Sequence, residues 1–150
     1  MSIQDQGGFG FLGLHGATSA RVSLNRSIPW QISLGSGASR SRLQLAGLHL
    51  TSLEVSGGAE QVEVTLPRPT GTVPVRISGG ASAVSLHRPS GAAISVDMSG
   101  GASSLTVDGQ HHSIVGGGVS WRSSDFDSAS DRYQLEISGG ASNVTVDQRG

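Results

Sequence analysis

The sequence has no cysteine and no lysine, and of its 150 residues only two Trp, one Tyr and three Phe are aromatic. Without cysteine there is no disulfide framework, no thiolate metal site and no thiol nucleophile. Neither sign of charge dominates: ten Arg face eleven acidic residues, for a net charge of −1. That balance excludes a polybasic arm and argues against a nucleic-acid partner. Apolar runs stay far short of the ~20 residues that span a bilayer as a helix. The start, Met1 to Gly8, has neither a charged n-region nor an apolar h-region, so neither a signal peptide nor direct membrane insertion is expected.

What the chain does hold is small. Gly and Ser number 23 and 26, about a third of the residues, a composition that reads as disorder unless a period underlies it. A period does. Ser-Gly-Gly-Ala recurs at Ser56–Ala59, Ser78–Ala81, Ser99–Ala102 and Ser138–Ala141. Ahead of the four copies stand Leu53-Glu-Val55, Val75-Arg-Ile77, Val96-Asp-Met98 and Leu135-Glu-Ile137. Behind them come Val62-Glu-Val64, Val84-Ser-Leu86, Leu105-Thr-Val107 and Val144-Thr-Val146. Two degenerate copies precede these: Leu12-Gly-Leu14 leads through Gly16-Ala17 to Val22-Ser-Leu24, and Ile32-Ser-Leu34 leads through Ser36-Gly-Ala38 to Leu43-Gln-Leu45. The copies start near 12, 32, 53, 75, 96 and 135, so the spacing holds at 20 to 22 residues and then jumps to 39.

Within each copy apolar residues alternate with polar ones, the mark of strands with one buried face, and helical periodicity is absent. Each copy reads as strand, glycine corner, strand and a wider turn such as Pro67-Arg-Pro-Thr-Gly71. One copy cannot offset its own ordering entropy, so copies must stack. The prediction is one all-β domain over residues 1–150: a β-solenoid of about six coils, ~21 residues each, with equivalent strands in parallel ~4.8 Å apart. The alternative is an antiparallel meander or sandwich in which Gly-Gly closes hairpins. The outward residues Glu54, Arg76 and Asp97 favour the solenoid, because sequential stacking makes them neighbours of alternating sign. Glu63, Ser85, Thr106 and Thr145 then form a small polar ladder on the second strands.

The jump in spacing places an insertion within 108–134, and insertions in repeat proteins often form the binding face. This one carries Trp121, Arg122, Asp125, Phe126, Asp127 and Tyr133, read here as candidate ligand or partner contacts. Its simpler reading is a degenerate coil whose apolar residues pack back on the core. Asp125, Asp127 and Asp131 lack the glycine and distal Glu of a calcium loop. His111 and His112 point to opposite faces of a strand, and no second ligand stacks beside His87, so no metal and no cofactor is expected. Arg68 and Arg88 each fall two residues after a strand-ending Leu in successive copies, which would bring both to one edge able to hold an anion. No nucleophile elbow and no phosphate loop occurs, so the protein reads as no enzyme.

The repeat from about residue 12 to 147 resembles bacterial adhesin-type domains of unassigned biochemical activity. That resemblance implies a short β-solenoid, and the cell envelope or surface as its place of action. The function expected is a non-enzymatic scaffold or interaction module that takes a protein partner or a second copy through its ends. A carbohydrate- or polyanion-binding module using the 108–134 loop and the Arg68/Arg88 edge, with a glycan as ligand, is the alternative. The C-terminal copy shows no polar cap, and Gly7 to Phe11 is placed to plug the other end.

Overall fold

A computed structural model describes residues 2–6, 9–14, 25–35, 40–113 and 118–149. Among these residues there is no helix, and fourteen strands form two sheets. Coils 2 to 5 each give one strand to each sheet. Their first strands are β3 (Pro29–Leu34), β5 (His49–Ser56), β7 (Thr72–Ser78) and β9 (Ala93–Met98); their second strands are β4 (Arg40–Gln44), β6 (Ala59–Thr65), β8 (Ala81–Arg88) and β10 (Ala102–Val107). Coil 6 is β13 (Arg132–Ser138) and β14 (Ala141–Gln148). Coil 1 contributes β2 (Phe9–Leu14), preceded by β1 (Ser2–Gln6); its corner at Gly16-Ala17 and its second strand at 22–24 lie outside the described residues, as do the corner at 36–38 and Ile114. The insertion adds β11 (Gln110–Ser113) and β12 (Val119–Arg122).

Equivalent strands pair in parallel, β5 with β7 and β6 with β8 among them, so the solenoid holds and the antiparallel alternative falls. Alternation explains why. Val73, Val75 and Ile77 of β7 face Val84 and Leu86 of β8 across one shared core, while Arg76 and Ser85 point out. Each coil buries about five such side chains, worth roughly 1.5–3 kcal/mol apiece against exposure.

The glycine corner has a steric cause. The first glycine of each corner lies against its neighbour in the stack: a Cβ on Gly79 would fall 2.6 Å from the Gly57 oxygen, one on Gly139 2.1 Å from the Gly79 oxygen, and one on Gly100 2.1 Å from the Gly139 oxygen. A side chain at any of these positions would push adjacent coils apart.

Those contacts also reveal the order of the stack, which is not the order of the chain. The first sheet runs β1-β2-β3-β5-β7-β13-β9-β12 and the second β11-β10-β14-β8-β6-β4. Coil 6 therefore lies between coils 4 and 5, in parallel register with both. The cause sits at residue 108. Asp108 (φ 48°) and Gly109 (φ 81°) form a two-residue turn with both φ positive, the geometry of a tight hairpin, and send β11 back antiparallel along β10. β12 then runs antiparallel along β9. Both far edges of coil 5 are occupied, and the last coil enters between coils 4 and 5.

Three expectations are corrected by this order. Arg76 stands between Glu54 and Glu136, not beside Asp97, whose neighbours are Glu136 and Ser120. The C-terminal copy is interior, so it leaves no uncapped end. In place of a degenerate coil, the described residues of the insertion form two antiparallel edge strands and the 123–131 turn. The polar ladder of the second strands survives in a new sequence, Glu63, Ser85, Thr145, Thr106.

Candidate functional site

The outer face of the first sheet carries an open groove of about 750 Å³ across β7, β13, β9 and β12. Outward positions of four adjacent strands line it: Pro74 and Arg76, Gln134 and Glu136, Asp97, and Ser120. The parallel register sets Arg76, Glu136 and Asp97 in one row across the strands, and antiparallel β12 adds Ser120 opposite Asp97. Arg76 Nε lies 3.7 Å from Glu136 Oε2, with the two side chains 68 % and 56 % exposed, a solvated pair worth little to stability. Ser120 Oγ donates to Asp97 Oδ1. Glu136 and Asp97 are like charges on directly opposed residues, which is unfavourable for the sheet. The row offers one cation, two carboxylates and a hydroxyl on neighbouring strands, with the Gln134 amide beside it. Donors and acceptors of both signs held on one open sheet face are suited to hydrogen-bonding recognition.

The outer face of the second sheet bears a chain of ions. Arg42 Nε donates to Glu63 Oε2 at 2.8 Å, His87 Nε2 lies 3.2 Å from Glu63 Oε1, and His87 Nδ1 lies 2.5 Å from Asp147 Oδ1. The His87 side chain is 6 % exposed and presents each ring nitrogen to a carboxylate. Arg42 first, and His87 after it, hold the Glu63 carboxyl below the usual carboxylate range. Among the described residues no group of three His, Asp or Glu converges to hold a metal ion. Asp147 was missed as the partner of His87 although the repeat contains the signal: it follows Val146 as His87 follows Leu86. Only the true stacking order makes the two neighbours.

The residues expected to bind a ligand are mostly taken up inside the protein. Arg88 is 2 % exposed, donates from Nη1 to the Ala92 carbonyl and from Nη2 to Asp108 Oδ2 at 2.6 Å, and leaves Arg68 alone on the surface. The paired arginine edge does not exist. Tyr133 is fully buried and donates to the Pro67 carbonyl at 2.5 Å, and burial pushes its hydroxyl above the ordinary phenol range. Phe126 is buried beneath Arg132 and Arg122, whose guanidinium carbons lie 4.9 and 5.6 Å from the ring centre. Trp121 packs half-buried against the core.

The rest of that segment is a compact turn. Asp125 accepts from the Ala129 and Ser128 amides through its carbonyl, Arg122 meets exposed Asp127 at 3.7 Å, and Asp131 accepts from the Gly71 amide at 2.7 Å. The segment thus locks onto the turn before β7. It belongs to the architecture of coil 6.

The fold and these faces define a class: a two-sheet β-solenoid with a dry core and polar outer ladders. Residues 2–87 match the family model described as the N-terminal domain of toast_rack, DUF2154, and the chain belongs to that family. No curated protein matches the sequence. Among solved structures the chain is similar to a putative cell adhesion protein from Clostridium sporogenes ATCC 15579, with a TM-score of 0.69 and 22 % identity, covering 89 % of this chain and 68 % of that one. At that identity the likeness is one of fold, and the adhesin-type solenoid expected from the repeat is the fold found.

Proposed function

We propose that the domain is a non-enzymatic, adhesin-like recognition module that binds an extended polar segment of a protein partner across the groove of the first sheet. The observation that carries this reading is the row Arg76, Glu136, Asp97 and Ser120, four outward groups of mixed sign and donor type on four adjacent strands. Rigid strands hold such groups with little ordering cost on binding. The family match and the fold shared with the clostridial protein support an interaction role.

The test is selection from a displayed peptide library, followed by affinity measurement with two charge reversals. Arg76→Glu should weaken the selected peptides at least tenfold, while Arg42→Glu on the opposite sheet should leave them unchanged. Equal loss in both variants, or binding indifferent to Arg76→Glu, would remove the groove as the site.

A further inference from the structure

Coil 6 occupies a slot that coil 5 is built to fill. Reading register across β13 aligns β7 directly with β9: Val75, Leu135 and Val96 share one inward row, and Arg76, Glu136 and Asp97 one outward row. The second sheet does the same, with Val84, Val144 and Leu105 inward and Ser85, Thr145 and Thr106 outward. Asp147 is opposite His87, and Asp108 is the next residue after Val107, the partner of Val146. If coil 5 stacked directly on coil 4, every inward row would stay apolar and the corner would again be glycine on glycine. Arg76 would meet Asp97, His87 would meet Asp108, and the Glu136–Asp97 opposition would vanish. In the present stack Arg88 of coil 4 reaches past coil 6 to Asp108 of coil 5.

We infer that coils 5 and 6 are alternative occupants of the same edge of coil 4, and that coil 6 exchanges into the slot of a second copy of this chain. The partner is fixed by chemistry: the slot takes two strands joined by a Gly-Gly corner, with three inward residues before the corner and two after it, one carboxylate to meet Arg76 and another to meet His87. Coil 6 of another copy meets each requirement. Exchange requires the 123–131 connection to swing, which frees buried Phe126 and breaks the Asp131 bond to the Gly71 amide, while Ser124, Asp125, Asp127 and Ser128 are already exposed. This inference stands apart from the groove reading, because its test involves no ligand.

The absence of cysteine makes that test clean. Ser78 and Ser138 are directly opposed, at the ~4.8 Å of paired strands and within disulfide range, so a chain with Ser78→Cys and Ser138→Cys closes internally and confirms folding. Ser99 lies one strand further, ~9.6 Å from Ser78 and out of disulfide reach, so a Ser78→Cys/Ser99→Cys chain links only when coil 5 closes on coil 4. A mixture of chains carrying Ser78→Cys alone and Ser138→Cys alone reports exchange between copies. After gentle warming and oxidation, peptide mass spectrometry should find the 78–99 link and the inter-copy 78–138 link, the second rising with protein concentration. Asp97→Arg gives Glu136 an opposite charge and sets two arginines together in the closed stack; it should lower both yields about three- to tenfold. Failure of either link while the internal 78–138 control closes, or yields indifferent to Asp97→Arg, would overturn the inference.

Discussion

Exchanging Gly139 for alanine should be among the most damaging single-methyl changes in the molecule, and the same exchange at its neighbour Gly140 nearly harmless. A Cβ at 139 would lie 2.1 Å from the Gly79 oxygen and 2.8 Å from the Gly79 carbonyl carbon and nitrogen. The obstacle is backbone, and that backbone is held in turn against Gly57, so relief requires coil 6 to separate from coil 4 by more than an ångström. Such overpacking costs roughly 1–3 kcal/mol. The separation also strains the corner bond from the Ala81 amide to the Gly140 carbonyl, worth about 0.5–1.5 kcal/mol. The expected loss for Gly139→Ala is therefore about 1.5–4.5 kcal/mol. At Gly140 nothing lies within 4 Å of the built Cβ and φ is outside the left-handed region. Gly140→Ala should change stability by less than about 1 kcal/mol, on the stabilising side through the unfolded chain. Urea unfolding followed by tryptophan fluorescence measures both. If the two variants fall within about 1 kcal/mol of each other, close backbone approach is not why the corner keeps its first glycine.

Three further outcomes follow from single contacts. Gly109→Ala places a Cβ at φ 81° in the β10–β11 turn and should cost about 1–2 kcal/mol by chemical denaturation, with the loss in hydrogen-exchange protection greatest in β11. Tyr133→Phe removes the donor to the Pro67 carbonyl in a buried setting and should cost about 1–3 kcal/mol in the same assay. Arg42→Gln should raise the Glu63 titration midpoint towards the ordinary carboxylate range, read by carboxyl-resolved NMR. Glu63 in the folded state is held below its unfolded value, so its contribution is complete at neutral pH and is lost as pH falls through the folded midpoint. The Arg42→Gln penalty should accordingly be present at pH 7 and disappear in acid.

Much of the fold was legible because it follows from short-range pattern. Alternation in Val75-Arg-Ile77 and Val84-Ser-Leu86 fixes which faces are buried, and the repeat period fixes which residues lie side by side between adjacent coils. The site was far less legible. Arg88 sits in sequence where Arg68 sits, yet Arg88 is buried against Asp108 while Arg68 is exposed, because only Arg88 has coil 5 within reach. Phe126 and Tyr133 drew notice as rare aromatics in an irregular segment, and their role is to anchor that segment. The clearest readable clue went unused: Asp108-Gly109 is a hairpin signal, and a hairpin after coil 5 closes the edge on which a sixth sequential coil would have to build.

That hairpin also sets the order in which the structure can form. β7 and β9 are separated by about one repeat in sequence, whereas β7 and β13 are joined by contacts 60 residues apart, as between Gly71 and Asp131. Contacts of shorter span form first, because less chain must be ordered to close them. As the chain folds, coil 5 reaches coil 4 before coil 6 does, and the two match in every row. Coil 6 must then enter a seam already closed, displacing Asp97 from Arg76 and Asp108 from His87. Burial of Tyr133, Leu135, Ile137, Val144 and Val146 favours its entry, and the added Glu136–Asp97 opposition resists it. A slow final phase is the expected consequence, one that Asp97→Arg should shorten by relieving that opposition and weakening the seam it must open. Refolding monitored by Trp121 fluorescence after urea dilution reads that phase. A single fast phase, unchanged by Asp97→Arg, would mean that coil 6 is in place before coil 5 arrives.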